Sequence, residues 1–341
     1  MLAYIKKTNT NTYNMKKVAV GIDIGGTNTV IGIVSEDGNV LLKTNMTTPS
    51  HGDFERYTAD LSVAIKKLIS EAGEQIINLN VAGIGIGAPI GNYHTGTIDF
   101  ATNLSFKGRL PVVDSVRRHF PEMSVVVLTN DANAAAMGEM MYGGAKGMHD
   151  FVMFTLGTGV GSGIVANGEL IIGADGLAGE IGHSVLIPGG RPCSCGFLGH
   201  LEAYCSAPGM KRTAVELLEQ NKNSDSLLFE IPVSELDSKV IYEAAEKGDK
   251  IALEVFVKTG EWLGMGLANT VYHLSPGAIF LFGGPTAAGD LLFKPAKASM
   301  EKNLLSIYKN KIEILPSKLN PGDAAIVGAS ALVWKEIEKL K

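Results

Sequence analysis

The chain has 341 residues, 45% of them hydrophobic, with 41 glycines and a formal net charge of −5. That length suits two domains of ordinary size, and a composition rich in glycine and aliphatic residues suits an α/β protein. Its charges are interspersed, with no basic block beyond a pair, which argues against a nucleic-acid partner; no apolar run reaches the ~18 residues that span a bilayer.

Residues 1–16 are polar and lack the apolar segment of a secretory signal, so they are expected to form an N-terminal extension. Three cysteines, two of them in Cys193-x-Cys195, make no disulfide framework and suit a reducing cytoplasm with a metal site. Residues 18–24 predict a strand that ends at Gly25-Gly26-Thr27-Asn28. Further strands are expected over 29–35 and, after Glu36-Asp37-Gly38, over 39–45. Phe54, Tyr57, Leu61, Ile65 and Leu68 recur at helical spacing and predict a helix over 53–73. A buried strand over 81–90 ends at Gly87-Ala88-Pro89, and a helix over 111–120 carries Pro111 in its first turn. A strand over 124–131 runs into Asn130-Asp131, and a helix follows.

From residue 150 the opening grammar repeats: strand, glycine turn, strand, turn, strand through 173. Two glycine-turned hairpins in two halves predict a duplicated α/β domain with a cleft between the halves. Residues 206–240 are poorer in pattern and read as an insertion. A long helix over 249–274, strands over 278–284 and 311–315, and an amphipathic helix from 323 complete the chain.

Several clusters carry chemistry. In the turn from Asp23 to Asn28, Gly25 and Gly26 allow backbone N–H groups to approach an anion, Thr27 and Asn28 add short polar groups, and Asp23 suits Mg²⁺. An ordinary hairpin explains the same residues, and no Walker sequence follows. Leu156-Gly-Thr158-Gly159-Val-Gly-Ser-Gly163 repeats the logic in the second half, and Gly283-Gly284 ends a strand as a flat ligand would require. Asp131, at a strand tip, suits a general base, but in isolation helix capping is the better reading of it. Glu180 and His183 share one helical turn and suit adjacent sugar hydroxyls. Cys193, Cys195 and His200 look like three zinc ligands, with His183 as a fourth; four protein ligands make the zinc structural. His183 would then bind zinc through one ring nitrogen and substrate through the other.

DIGGTN (23–28), Asn130-Asp131, LGTGVGSG (156–163), GLAGEIGH (176–183), CSCGFLGHLE (193–202), LSPGAIFLFGG (274–284) and PGDAAIVGAS (321–330) together resemble the ROK family. That family joins bacterial sugar kinases and sugar-responsive repressors on a duplicated, actin-like (ribonuclease H-like) α/β fold with an interdomain cleft. The resemblance runs from Lys17 to the C-terminus. It implies an N-terminal domain over 17–130 and a C-terminal domain over 131–325 that holds the zinc loop at 183–202. A helix over 326–341 would pack back on the first domain.

The resemblance implies an ATP-dependent hexokinase that phosphorylates the 6-hydroxyl of glucose or a related hexose. Asp131 would be the general base; Gly87, Asn103, Asn130, Glu180, His183 and Glu202 would join it around the sugar. Asp23, Gly25, Gly26, Thr27, Asn28, Thr158 and Gly159 would hold the ATP phosphates with Mg²⁺, and Gly283 and Gly284 would lie against the adenosine. A cytoplasmic homodimer with structural Zn²⁺ is also implied. One departure is that His200 occupies the position where the family pattern has a cysteine; Cys205 is a weaker substitute. The rival expectations are a sugar-responsive regulator and a non-catalytic sugar-binding module. Only about twenty residues precede the first turn, which is short for a helix-turn-helix domain.

Overall fold

The computed structural model describes residues 15–49, 52–101 and 104–341. The chain opens with β1 (Lys16–Ile24), β2 (Asn28–Ser35) and β3 (Val40–Thr47), joined as antiparallel neighbours. In α1 (Phe54–Gln75) the buried residues Tyr57, Leu61, Ile65, Leu68 and Ala72 form one stripe, and Asp53 caps the first turn by accepting from the Glu55 N–H at 2.9 Å. Each large apolar side chain of that stripe contributes about 1.5–3 kcal/mol on burial. β4 (Leu79–Ala88) then returns parallel to β1.

A small sheet of β5 (Gly91–Asn92), β6 (Thr97–Asp99) and β7 (Arg109–Leu110) follows. These strands of two or three residues carry too little periodicity to be read from sequence. Pro111 stands just outside α2 (Val112–His119), at the capping position rather than in the first turn. β8 (Val126–Asn130) leads directly into α3 (Asp131–Tyr142).

The second half repeats the first with β9 (Phe151–Leu156), β10 (Val160–Ala166) and β11 (Glu169–Leu170). The segment expected as a patternless insertion is largely helical. It follows α4 (Glu202–Cys205) and contains α5 (Ala207–Gln220), two 3-10 turns and the start of α6 (Ser238–Glu246). Next come α7 (Lys250–Leu274), β12 (Ala278–Phe282), α8 (Asp290–Asn303), β13 (Glu313–Pro316) and α9 (Ala324–Lys339).

The strand orders are β3-β2-β1-β4-β8 and β11-β10-β9-β12-β13. Both sheets have two antiparallel pairings followed by two parallel ones, so the duplication expected from the paired hairpins is present in topology. This is the α/β actin-like fold. Helices α3 and α9 lie between the sheets: α9 covers β1 and β4, and α3 covers β9 and β10. The approach is close because strand glycines permit it. A Cβ on Gly21 would sit 1.9 Å from the Ile326 carbonyl oxygen, and one on Gly85 would sit 1.9 Å from that of Ala329. The two helices touch where Gly138 meets Gly328. Among the described residues no helix is long and apolar enough to cross a membrane.

Candidate active site

Three parallel strands of the first sheet end level with one another. Asp23 of β1 pairs with Gly87 of β4, Gly87 with Thr129 of β8, and Ala88 with Asn130. That edge, at the carboxyl ends of parallel strands, is where open α/β sheets bind ligands. Gly87 is buried, and a Cβ there would lie 3.3 Å from the Ala134 Cβ, so it lets the first turn of α3 pack closely on β4. Asn130 is the residue that caps α3, accepting from the Ala132 N–H at 2.8 Å. Asp131 is therefore the first helical residue and not the cap. Its carboxylate also reaches the Ala132 N–H, at 2.8 Å.

Asp131 is open to solvent along the cleft yet lies deep among protein atoms. Loss of bulk hydration raises its pKa above the ordinary carboxylate range, with the Ala132 N–H opposing the shift. Burial, then the charge of Asp131, pushes Asp23 up to about 6. Two carboxylates that sense each other's field in one cleft make a place for a cation or for a shared proton.

The first glycine turn closes with the Gly25 N–H on the Asn28 carbonyl at 3.0 Å and leaves Gly26, Thr27 and Asn28 exposed. In the second half the turn is Gly157–Gly159, closed by the Gly157 N–H on the Gly159 carbonyl at 2.9 Å, with Thr158 exposed. Gly161 and Gly163 serve another purpose. Added Cβ atoms would strike Ala132 at 2.9 Å and Ala136 at 2.6 Å, so these glycines seat the α3 helix that begins with Asp131. Gly283 has φ +112° and approaches β9 so closely that a Cβ would sit 2.0 Å from the Leu156 carbonyl oxygen. With Phe282 paired to Thr155, the Gly283-Gly284 turn lies beside the Gly157–Gly159 turn.

Glu180 and His183 lie on a 3-10 turn with Glu180 Oε2 4.0 Å from His183 Nε2. Burial raises the Glu180 pKa; His183 opposes the shift, and the charges of Asp131 and Glu202 add to it. The other ring nitrogen, Nδ1, faces Cys193 Sγ at 3.9 Å. His183, Cys193, Cys195 and His200 bring one donor atom each to within 4.8 Å of one another. Zinc bonds of ~2.0–2.3 Å in a tetrahedron require donor separations of about 3.3–3.8 Å, so the cluster fits zinc with a small contraction. Burial, first among the causes, pushes the Cys193 thiol up to about 11, so a thiolate there needs a cation beside it. Cys205 lies elsewhere, buried in α4 with its thiol on the Thr259 carbonyl at 3.7 Å.

Glu202 is 9% exposed and ties this loop to the Gly157–Gly159 turn. One carboxylate oxygen accepts from the Val160 N–H at 3.1 Å and the other from Ser194 Oγ at 2.7 Å. The structure thus draws Asp23, Gly87, Asn130, Asp131, Glu180, His183 and Glu202 to one cleft and sets both glycine turns about it. Asn103 lies outside the described residues.

Arg191 is a residue that motif reasoning missed. Its guanidinium lies 4.9 Å from the Tyr204 ring and 4.7 Å from the Trp262 ring, and it donates to Thr213 Oγ1 at 3.0 Å. It anchors the root of the loop that carries Cys193, Cys195 and His200 to α5 and α7. An arginine two positions before the first cysteine was the available signal, but its aromatic partners are distant in sequence.

A sequence profile of the ROK family matches residues 19–336. The chain belongs to the ROK family. A glucokinase from Halalkalibacterium halodurans is 36% identical over 319 residues, covering 93% of this chain and 95% of that protein. A glucokinase from Thermotoga maritima is 32% identical and is matched over 98% of its length. Among solved structures, a ROK family glucokinase from Streptomyces griseus in complex with glucose and AMPPNP superposes with a TM-score of 0.77. It is 32% identical over 93% of this chain and 99% of that one. These relatives match the chain over nearly their full length, and the protein is an ATP-dependent sugar kinase.

Proposed function

We propose that this protein, an ATP-dependent sugar kinase, transfers the γ-phosphoryl group of ATP to the 6-hydroxyl of glucose or a closely related hexose, with Asp131 as general base. The observation that carries the assignment is the convergence of Asp131 and Asp23 at one strand edge, facing glycine turns from both halves. The glucokinase relatives and the glucose- and AMPPNP-bound neighbour support the sugar and the nucleotide.

In this mechanism the exposed turn residues Gly26, Thr27, Asn28 and Thr158 hold the phosphates, and Gly283-Gly284 leaves room for the adenosine. Asp23 is the residue suited to Mg²⁺, and the chemistry such an ion supplies is neutralisation of phosphate charge. Glu180, His183, Glu202, Asn130 and Asn103 orient the sugar by its hydroxyls. Asp131 aligns the attacking oxygen in line with the γ-phosphorus and accepts its proton as the O–P bond forms and the bond to ADP breaks. Phosphoryl transfer has a loose transition state, so orientation outweighs proton abstraction, and the base contributes about 10²–10⁴ in rate. A raised pKa suits Asp131 to hold that proton until it passes to solvent.

His183, Cys193, Cys195 and His200 form a structural zinc site that fixes the His183 ring, leaving Nε2 for the sugar side. We take residues 17–130 and 131–325 as the two domains, with Asp131 at their boundary. Exposed Met265, Tyr272, Leu305 and Ile307 near α7 and α8 support assembly as a homodimer. The cytoplasm is the proposed location, since it supplies ATP and keeps Cys193, Cys195 and Cys205 reduced.

The test is ADP release with glucose, mannose, fructose, allose, N-acetylglucosamine and N-acetylmannosamine, with the product's phosphorus position read by NMR. Turnover with glucose and a 6-phosphate product are expected. Turnover only with another sugar would replace the substrate, and none with any sugar would remove the kinase assignment.

A further inference from the structure

The loop that carries Glu180 is held at both ends, and its two anchors belong to different sheets. At its end, Ser162 of β10 donates to the Gly179 carbonyl and accepts from the Ile181 N–H at 3.3 Å. Near its start, the β5–β6 hairpin holds it from the other half. Asn92 Nδ2 donates to the Asp175 carbonyl at 2.8 Å, and His94 Nε2 lies 2.8 Å from the Gly173 carbonyl oxygen.

Asn92 is built for this contact. It is 4% exposed, and its Oδ1 accepts from the His94 N–H at 3.0 Å and the Thr95 N–H at 3.3 Å, which closes the hairpin turn. Its amide nitrogen is left for Asp175 and, at 3.4 Å, for Asp99 Oδ2. Asp99 is itself fixed by Thr97 Oγ1 at 2.6 Å and by Arg109 Nε at 3.0 Å. On the far side, a Cβ on Gly176 would sit 2.4 Å from Asn92 Oδ1, so the loop accommodates this side chain by giving up its own. Next to Asn92, a Cβ on Gly91 would sit 2.4 Å from the carbonyl oxygen of Thr129, two residues before Asp131.

We propose that Asn92 is a positioning residue for sugar recognition: through Gly91 it takes its place from the strand that ends at Asp131, and through Asp175 it sets the loop that ends at Glu180. The distance between the base and a principal sugar-gripping carboxylate is then fixed by one buried amide. Asn92 touches neither the sugar nor ATP. It can act in this way only in the sugar kinase proposed above.

Asn92→Asp keeps the oxygen that closes the hairpin and replaces the bridging donor with an acceptor that faces the Asp175 carbonyl. A bond lost between the halves is expected to raise the sugar KM about tenfold while the ATP KM stays within about twofold. Asn92→Ala removes the same donor without the backbone strain that any side chain at Gly176, with φ +85°, would add, and is expected to give the same split. Glucose affinity by calorimetry should follow the sugar KM, with circular dichroism and melting curves recorded for every variant. Equal shifts in both KM values, or a lowered melting temperature with unchanged glucose affinity, would make Asn92 a structural residue only and overturn the proposal. Wild-type turnover with no sugar would instead remove the kinase assignment and this proposal together.

Discussion

Glu202 accepts a hydrogen bond of 3.1 Å from the Val160 backbone N–H, and this contact joins the loop of Cys193, Cys195 and His200 to the Gly157–Gly159 turn. A Cβ on the adjacent Gly159 would lie 2.5 Å from the same carboxylate oxygen, so the turn has closed on Glu202 as tightly as its backbone allows. A residue expected to grip the sugar is therefore also a brace for the Gly157–Gly159 turn.

Glu202→Gln should affect both substrates. The amide can keep its oxygen on the Val160 N–H only by presenting its NH2 to Ser194 Oγ, which must then turn and accept, at a cost of about 0.5–1.5 kcal/mol in stability. A lower melting temperature and raised KM values for both sugar and ATP are expected from melting curves and initial rates. A change confined to the sugar KM would show that the brace is idle.

Zinc retention tests the metal cluster independently of catalysis. Removing one of four ligands should weaken zinc binding by roughly 100-fold, about a quarter of the binding free energy of a structural site. His200→Ala should lose the metal to a competing chelator at concentrations that leave wild type loaded, whereas His200→Cys should keep it. Zinc content per chain after dialysis is the measurement, and no zinc in the wild type prepared with the metal would count against the site.

The environment of Asp23 predicts a pH dependence of stability. Its pKa is about 6 in the fold against 3.8 as the ordinary value, so the folded state binds the proton more tightly than the unfolded chain. Stability therefore falls as pH rises between about 4 and about 6, and is level above that. In metal-free buffer, Asp23→Asn should melt above wild type near pH 7, and the difference should vanish as pH approaches about 4. A difference independent of pH would mean that the carboxylate does not titrate there.

The seat of α9 is tested by single methyl groups. Gly85→Ala puts a Cβ where only 1.9 Å separates it from the Ala329 carbonyl oxygen, which is main chain and has no rotamer to escape into. A loss of at least about 1–3 kcal/mol is expected by denaturant unfolding. Gly73→Ala in α1, where a Cβ meets nothing within 4 Å, should be neutral or slightly stabilising.

The strands and their glycine turns were legible in the sequence because an apolar run that stops at glycines records both burial and the end of a strand. The duplication followed from finding that signal twice, at 18–35 and at 150–166. What lay beyond reach had physical reasons. Strands as short as Gly91–Asn92 have no period to detect. Helix α5 within 206–240 does carry a stripe, at Met210, Thr213, Ala214, Leu217 and Leu218, but the short turns that follow it, Leu227–Glu230 and Val233–Glu235, have no period and make the segment read as an insertion. Asp131 reads as a cap from its neighbours, and only coordinates show that Asn130 performs that role. The bond from Asn92 to Asp175 ends on a main-chain carbonyl, which no side-chain pattern reveals.

The most direct test of the central claim is the turnover number of Asp131→Asn with glucose and MgATP, measured by coupled ADP detection beside wild type. Removing a carboxylate whose pKa is raised by burial should leave the protein folded, and glucose binding can be verified by calorimetry. A fall in kcat of at least about 100-fold, with glucose still bound, is the predicted result. Turnover equal to wild type would contradict the role of Asp131 as the base.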